Sequence, residues 1–292
     1  SELENPKVSS VAEGSSDLVY DGASQKVFRV GEAVPFTGTA RWYYPDRSVK
    51  QETQYRNGLE NGVEEWWHQS GNRAGRCSYS NGEMDGVFIQ WFDDEESRVE
   101  LQVNYKNGRR NGIETIWYPN GQERSLVNFH DGLRNGEAKG WYENGKLEWR
   151  AEWRNDLMHG EHKEWYQSGG VKFHVNYRDD KKTGVESVWF ESGVKSRKTS
   201  WDQGLETGLR TEWYPSGDKL LQYNFKNGVR VGVSFEWYEN QVKALESQYD
   251  QNGDLVRFAR WNPDGVAIPH EQPPSGRVRN WRKAEFEPVV NY

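Results

Sequence analysis

The side chains that could do chemistry are few, and they are scattered through the 292-residue chain. Cys77 is the only cysteine, so an intramolecular disulfide is impossible. The sequence contains no Gly-x-Ser-x-Gly elbow, no phosphate-binding loop and no zinc-type cysteine cluster. Acidic residues are plentiful, but most fall at alternate positions of predicted strands, so no pair stands out as a glycosidase dyad. These observations predict a protein that is not an enzyme and binds no cofactor.

Two of the six histidines form the best candidate for a metal site. His162 and His174 flank a predicted turn at Ser168-Gly169. A hairpin centred on that turn would place the two imidazoles opposite each other, with Cβ atoms about 5 Å apart. A third ligand is lacking, and neither histidine recurs elsewhere in the pattern described below. We therefore interpret them as a solvated cross-strand pair and predict no metal site.

A tryptophan returns at a fixed spacing through most of the chain. The interval is 24 residues, except for 26 between Trp91 and Trp117, and Tyr43 takes the first place. A period of this size is typical of a repeat array, in which an extended surface and seldom a single pocket carries the function. The series consists of Trp67, Trp91, Trp117, Trp141, Trp165, Trp189, Trp213, Trp237 and Trp261.

Other residue types repeat at the same period. With each tryptophan as position 0, position 1 is Tyr or Phe in most units, and position 12 is aromatic, as in Tyr79 and Trp153. Cys77 takes position 10, like Ala151 and Val175, which predicts a packed and inert thiol. Position 19 is glycine in every internal unit, where we expect backbone geometry that a side chain cannot enter: Gly62, Gly86, Gly112, Gly136, Gly160, Gly184, Gly208 and Gly232.

This spacing predicts two short strands and two turns per unit. Asn-Gly or Ser-Gly at positions 3–4 suits a tight hairpin turn, and Asn-Gly-x-x-x-Gly at positions 14–19 suits a longer one. Residues between the turns alternate with the period 2 of a strand. We assign the tryptophans and the position-12 aromatics to one packed face, with Trp165 and Trp189 largely buried, and the position-1 rings to the polar side. The sequence predicts an all-β fold, an elongated antiparallel β-hairpin repeat array of about nine 24-residue units.

The unit resembles the MORN repeat (membrane occupation and recognition nexus). The resemblance rests on segments such as Trp117-Tyr-Pro-Asn-Gly-Gln-Glu followed by Phe129-His-Asp-Gly-Leu-Arg-Asn-Gly136. It is closest to the bacterial variant of that repeat, the YwqK-type antitoxin repeat family, and the lead-in Pro35-Phe36-Thr37-Gly38 is also similar. The resemblance covers about residues 27–265. It implies β-hairpin arrays and a non-enzymatic role in interactions.

The two ends of the chain differ from the repeats and define three segments. Residues 1–26 are expected to form an N-terminal tether, residues 27–265 the repeat array, and residues 266–292 an irregular C-terminal cap or docking tail. A Ser-rich acidic leader is typical of a mature bacterial lipoprotein. We therefore expect an extracytoplasmic protein, periplasmic or on the cell surface, with a cytoplasmic location as the alternative. Membrane contact is expected only through an N-terminal lipid anchor.

Charge narrows the range of partners. The net charge is −7, and cations are interspersed with acids along the predicted strands, which does not favour nucleic-acid binding. The leading hypothesis is a non-enzymatic scaffold that presents a β-surface to a protein or a multiprotein complex. A glycan- or peptidoglycan-binding surface protein and a toxin-neutralising (antitoxin or immunity) protein remain alternatives.

The position-1 rings are the candidate partner-binding residues. They form a regular aromatic row on a side that is otherwise polar, and large rings dominate interface energetics. The alternative is that they are a cross-strand ladder that stiffens the sheet. The row consists of Tyr118, Tyr142, Tyr166, Phe190 and Tyr214.

Overall fold

A computed structural model describes residues 11–14 and 16–269. The described residues are all-β and contain no helix, hence none that could cross a membrane. The chain divides into two compact units, Ser1–Leu157 and Met158–Tyr292. Within each unit consecutive strands pair antiparallel as hairpins, as the sequence predicts.

The strands follow one another along the chain with short connections. The first unit contains β1 (Val11–Glu13), β2 (Leu18–Asp21), β3 (Lys26–Arg29), β4 (Gly38–Tyr43), β5 (Val49–Arg56), β6 (Leu59–Trp67), β7 (Arg73–Ser80), β8 (Glu83–Met84), β9 (Gly86–Trp91), β10 (Val99–Lys106), β11 (Arg109–Arg110), β12 (Gly112–Trp117), β13 (Glu123–His130), β14 (Leu133–Trp141) and β15 (Leu147–Arg154). The second contains β16, which starts one residue before the division (Leu157–Trp165), β17 (Val171–Arg178), β18 (Lys181–Trp189), β19 (Lys195–Asp202), β20 (Leu205–Trp213), β21 (Lys219–Lys226), β22 (Val229–Arg230), β23 (Gly232–Trp237), β24 (Lys243–Tyr249), β25 (Leu255–Trp261) and β26 (Ala267–Ile268).

Part of the segment expected to be a tether forms strands. β1 pairs in parallel with β4, and β2 pairs with β3 as a separate hairpin. Ala12, Phe36 and Ala40 form a small buried cluster at this end of the first unit. The predicted C-terminal cap or docking tail lies outside the described residues from His270 onward.

The two turns of each 24-residue repeat have the reverse of the expected lengths. Asn57-Gly58 is a two-residue hairpin turn between β5 and β6, with φ of 53° and 79°. Positive φ at both central residues is the type I′ geometry that matches the twist of paired strands. The turn after each tryptophan is the longer one: it runs from His68 to Asn72 and places Gly71 at φ 93°.

The position-19 glycines lie within strands, at an irregularity of the ladder. Between β5 and β6 the register shifts, so that Thr53 opposes Glu64 while Tyr55 opposes Glu60. Gly62 lies in this β-bulge with φ 112°. The freed amide of Val63 donates to the Gln54 side chain at 3.0 Å. All eight position-19 glycines have positive φ.

On their other side these glycines oppose the position-12 aromatic residue of the next strand. Gly62 opposes Tyr79 and Gly136 opposes Trp153, and the same pairing recurs in the other internal 24-residue repeats. A Cβ built on Gly62 would meet the Gln54 side chain, and one built on Gly184 or Gly208 would have nothing within 4 Å. The positive φ of the bulge, and not ring packing, is therefore the shared requirement for glycine.

The tryptophans and the position-12 aromatics lie on opposite faces, so the single packed face of our prediction is wrong. Glu64 opposes Cys77 and Gly62 opposes Tyr79, which places the position-12 ring on the face of Glu64. Trp67 is three residues from Glu64 and points to the other side, because neighbours in a strand alternate. The tryptophans of the series are half-buried, Trp165 and Trp189 included, and not largely buried.

Candidate interaction surfaces

In each of the two compact units one face of the sheet is buried, and a central row of cross-strand pairs defines this face. Ala138 opposes Ala151, Val175 opposes His162, and Glu186 opposes Thr199. Most of these side chains are buried, although no helix among the described residues packs on the sheet to cover them. The flanking rings and cations cover them: the Arg134 guanidinium lies 3.7 Å from the centre of the Trp153 ring.

Two carboxyl groups in this row, the fully buried Glu186 and the half-buried Glu64, accept hydrogen bonds from their neighbours. Glu186 is fully buried, and its carboxylate accepts from Lys182 Nζ and, at 2.8 Å, from Arg197 Nη2. In the first unit Glu64 Oε2 accepts from Thr53 Oγ1 at 2.8 Å and from Gln51 Nε2 at 3.1 Å. No cation pairs with Glu64 among the described residues, and burial raises the pKa of its carboxyl group.

Tyrosines of the position-1 row, which we predict as partner-binding, donate hydrogen bonds from their hydroxyl groups to the next repeat. Tyr118 donates its hydroxyl to the Trp141 carbonyl at 3.0 Å, which is the tryptophan of the following repeat. The equivalent bonds of Tyr166 and Tyr214 to the next tryptophan carbonyls measure 2.7 and 2.8 Å. All five rings of the row, including Tyr142 and Phe190, are half-buried. The sequence pattern gave no sign of the hydroxyl bonds, because their acceptors are backbone carbonyls of the next repeat.

The predicted opposition of His162 and His174 is wrong. His162 opposes Val175, and His174 opposes Lys163, so the two imidazoles lie on opposite faces of the sheet. A register shift between Glu164 and Trp165 adds one residue to β17, and a one-residue slip moves a side chain to the other face. His162 packs edge-on against Phe173, and burial lowers the pKa of its imidazole. Within residues 11–14 and 16–269 no three His, Cys, Asp or Glu side chains are grouped to hold a metal ion.

Cys77 lies in the buried row, opposite Glu64. The side chain is 1% exposed, and burial raises the pKa of the thiol to about 12. A thiol that stays protonated at neutral pH is a poor nucleophile. The structure therefore agrees with the prediction of a packed and unreactive side chain.

The opposite side of the sheet, the tryptophan face, also exposes a row of apolar side chains. They lie four residues before a tryptophan, on the same side of the strand. The 24-residue recurrence was visible in the sequence, but the sequence could not show that nothing in the same unit covers the row. Its exposed members are Val87, Ile113, Val185, Leu209 and Val233.

In the second unit the ring faces of several tryptophans are covered by lysines. Lys195 Nζ lies 5.5 Å from the centre of the Trp189 ring, and Lys219 Nζ lies 5.7 Å from that of Trp237. A cation over a ring is attracted by the negative π face. The arrangement fixes the positions of the ammonium groups on this face.

Comparison with known proteins identifies the repeat. The model of the MORN repeat variant matches four segments, residues 110–131, 134–155, 158–179 and 206–227. Each match begins seven residues before a tryptophan of the series and ends at the two-residue turn. No curated protein matches the chain.

Two of the solved structures that match the chain resemble it only distantly. The chain is 9% identical to a chain in "Crystal Structure of TcdB2-TccC3", with 79% of this chain and 18% of that chain covered and a TM-score of 0.19. For "Crystal Structure of TcdB2-TccC3-TEV" the identity is 11%, the coverage 86% and 16%, and the TM-score 0.20. The chain thus spans less than a fifth of the length of these matches, and the scores are too low to equate the folds.

Proposed function

We propose that this chain, which carries MORN repeats of the variant type, is a non-enzymatic scaffold that presents its β-surface to a protein partner. The repeat fold is compatible with an interaction role. The observation that carries the proposal is the periodic surface: the same ring or apolar side chain recurs on every second strand of a hydrogen-bonded sheet. Such a surface is fixed before binding, and preorganisation lowers the entropic cost of association.

The position-1 row remains our candidate for contact with that partner. Its rings are half-exposed, while the hydroxyls of Tyr166 and Tyr214 are already bonded to the next repeat. A partner would therefore contact the ring edges and the adjoining polar groups. Phe190 has no hydroxyl, so its ring can be removed without breaking a bond between repeats.

The experiment is affinity capture from the native host, followed by mass spectrometry, with matched variants of this row. We expect Phe190→Ser to weaken capture while the melting temperature falls only slightly. Tyr166→Phe and Tyr214→Phe should each lower the free energy of unfolding by about 1 kcal/mol, the net value of one hydrogen bond, and leave capture intact. Capture that persists in Phe190→Ser combined with Tyr214→Ser, in a folded protein, would exclude the row as the contact surface.

A further inference from the structure

The tryptophan face of the second unit carries a patch with an unusual composition. On β18 and β20 the outward side chains are small or apolar and end in a tryptophan, and on β19 and β21 their cross-strand partners are lysines and uncharged polar residues. β23 adds a third apolar series. The acid-free patch consists of Val185, Ser187, Trp189, Lys195, Lys198, Ser200, Leu209, Thr211, Trp213, Lys219, Gln222, Asn224, Val233, Phe235 and Trp237.

The charge of this patch is opposite to that of the chain. It has three lysines and no carboxylate, whereas the whole chain has a net charge of −7. Lys198 and Lys219 are exposed and form no ion pair with a described residue. The nearest acids on this face are Asp202, at the end of β19, and Glu246 on β24, which is the cross-strand partner of Phe235 and pairs with Lys243 at 2.8 Å. A ligand that complements this surface carries negative charge.

The patch is also apolar at regular intervals. Val185, Leu209 and Val233 are 42%, 54% and 40% exposed, and they form one row across the strands. Ser187 and Thr211 lie two residues further along their strands, and they are only 7% and 9% exposed. Their small side chains leave a shallow depression between this row and the tryptophans. Single exposed apolar residues are ordinary, but an aligned row is typical of an interaction site.

The spacing of the row selects a type of backbone. Its members lie on every second strand, so they recur at about 9.6 Å. A polyproline II segment places every third side chain on one side and advances about 9.3 Å in three residues. Side chains on one side of an extended strand recur at about 6.7 Å, and those of a helical heptad recur at about 10.5 Å. Both spacings differ more from the spacing of the row than the polyproline II spacing does.

Ring geometry argues against ligands that bind by stacking. The Trp189 and Trp237 faces are occupied by lysine ammonium groups. Single-stranded nucleic acids and sugars bind aromatic residues mainly through free ring faces. Nucleic acids and sugars carry no regular series of apolar side chains that could pack along the exposed row of Val185, Leu209 and Val233.

We propose that this patch binds an acidic, polyproline-II-like peptide segment of a partner protein, with an apolar side chain at every third residue in register with Val185, Leu209 and Val233. The inference rests on the proposed scaffold function for its biological meaning, and it names a surface on the face opposite to the buried row. The apolar residues of the peptide pack along the row. Its carboxylates approach Lys195, Lys198 and Lys219.

The test uses the full chain and a fluorescein-labelled synthetic peptide of repeated Glu-Pro-Val triplets, followed by fluorescence anisotropy. We expect saturable binding that weakens with added salt. Leu209→Thr combined with Lys198→Gln should weaken it by about tenfold, since both changes are on the exposed face and remove apolar area and charge. The matched control is Ile113→Thr, which occupies the same repeat position in the first unit and pairs with Asn128 as Leu209 pairs with Asn224. It should leave binding unchanged.

Four further results would overturn the proposal: no binding of the Glu-Pro-Val peptide, equal binding of Glu-Pro-Ser triplets, equal binding of an alternating Glu-Val peptide, or binding of an oligo-dT strand or dextran sulfate in place of the peptide. Glu-Pro-Ser binding would reduce the patch to non-specific electrostatics. Because every probe is synthetic, this outcome is independent of partner capture through the position-1 row, and either proposal can fail alone.

Discussion

At the scale of single residues, the buried face decides which charges the fold tolerates. Glu186 is fully buried with two cationic partners, whereas Glu64 has hydroxyl, amide and thiol neighbours and no cation among the residues that the structure describes. Ionising a half-buried carboxyl group that has no cation beside it is unfavourable, and the raised pKa of Glu64 expresses that cost. Glu64 is therefore a weak point of the first unit at neutral pH.

Glu64→Gln should stabilise the first unit at neutral pH. Glutamine keeps an oxygen that accepts from Thr53 and Gln51, and it carries no charge. A carboxyl group whose pKa is raised on folding contributes stability below its unfolded pKa and loses that contribution as the pH rises through the folded pKa. Urea unfolding should thus show a gain for Glu64→Gln at pH 8 that narrows toward pH 4.

The adjacent Glu65 provides the control for this prediction. Its side chain lies on the opposite face, 3.7 Å from Arg76, so Glu65→Gln should give no gain at pH 8. Equal stability of wild type and Glu64→Gln at both pH values would contradict the account of Glu64.

At the scale of strands and hairpins, glycines make room for rings and for bulges. Trp149 lies over the cross-strand Gly140, and a Cβ built on that glycine would be 2.1 Å from Trp149 Nε1. Trp66 covers Gly75 in the same way, at 2.0 Å. Neither glycine has positive φ, so the requirement is purely steric.

Gly140→Ala should therefore destabilise the first unit by about 1–3 kcal/mol through overpacking. Gly22→Ala is the matched control, because Gly22 also lacks positive φ and has nothing within 4 Å of a built Cβ. Chemical denaturation monitored by tryptophan fluorescence measures both. In a Trp149→Ala background the cost of Gly140→Ala should largely disappear, and a cost that persists would mean that ring contact is not its cause.

The bulge glycines differ among themselves in backbone angle. Gly160 has φ 109°, which an L-residue adopts with strain, whereas Gly184 has φ 73°, close to the left-handed region that asparagine visits readily. We expect Gly160→Asn to cost about 1–3 kcal/mol more than a surface substitution, and Gly184→Asn to cost less than that. Thermal melting of the two variants, both in the second unit, decides the comparison; equal losses would show that the angle is not the cause.

At the scale of the whole molecule, stability is distributed through contacts between neighbouring repeats. Hydrogen bonds such as that from Tyr166 to the Trp189 carbonyl join one repeat to the next, and the strands pair only with near neighbours in sequence within each unit. In such arrays stability is approximately a sum of nearest-neighbour contributions. A local defect should therefore remain local.

Glu186→Ala tests this property. It leaves Lys182 and Arg197 without their buried partner, and losing one member of a buried ion pair typically costs about 3–5 kcal/mol. Both cations are partly exposed, so we expect the lower part of that range. Hydrogen exchange should accelerate in β18–β20 while β5–β7 in the first unit stay protected. Uniform acceleration through both units would mean that the chain unfolds as one cooperative body.

The sequence alone determined the repeat, its two strands and two turns, and the all-β hairpin fold, because glycine, asparagine and aromatic residues at a fixed period leave few alternatives. The tertiary structure decided which face each residue occupies. The bulges at Gly62 and its equivalents add two residues to one strand, whereas register shifts such as that beside Trp165 move a strand by one residue relative to its partner. Since side chains alternate with a period of two, one such residue separates His162 from His174 and the tryptophans from the position-12 rings. Sequence spacing counts residues along the chain, and only paired strands show where one of them is left over.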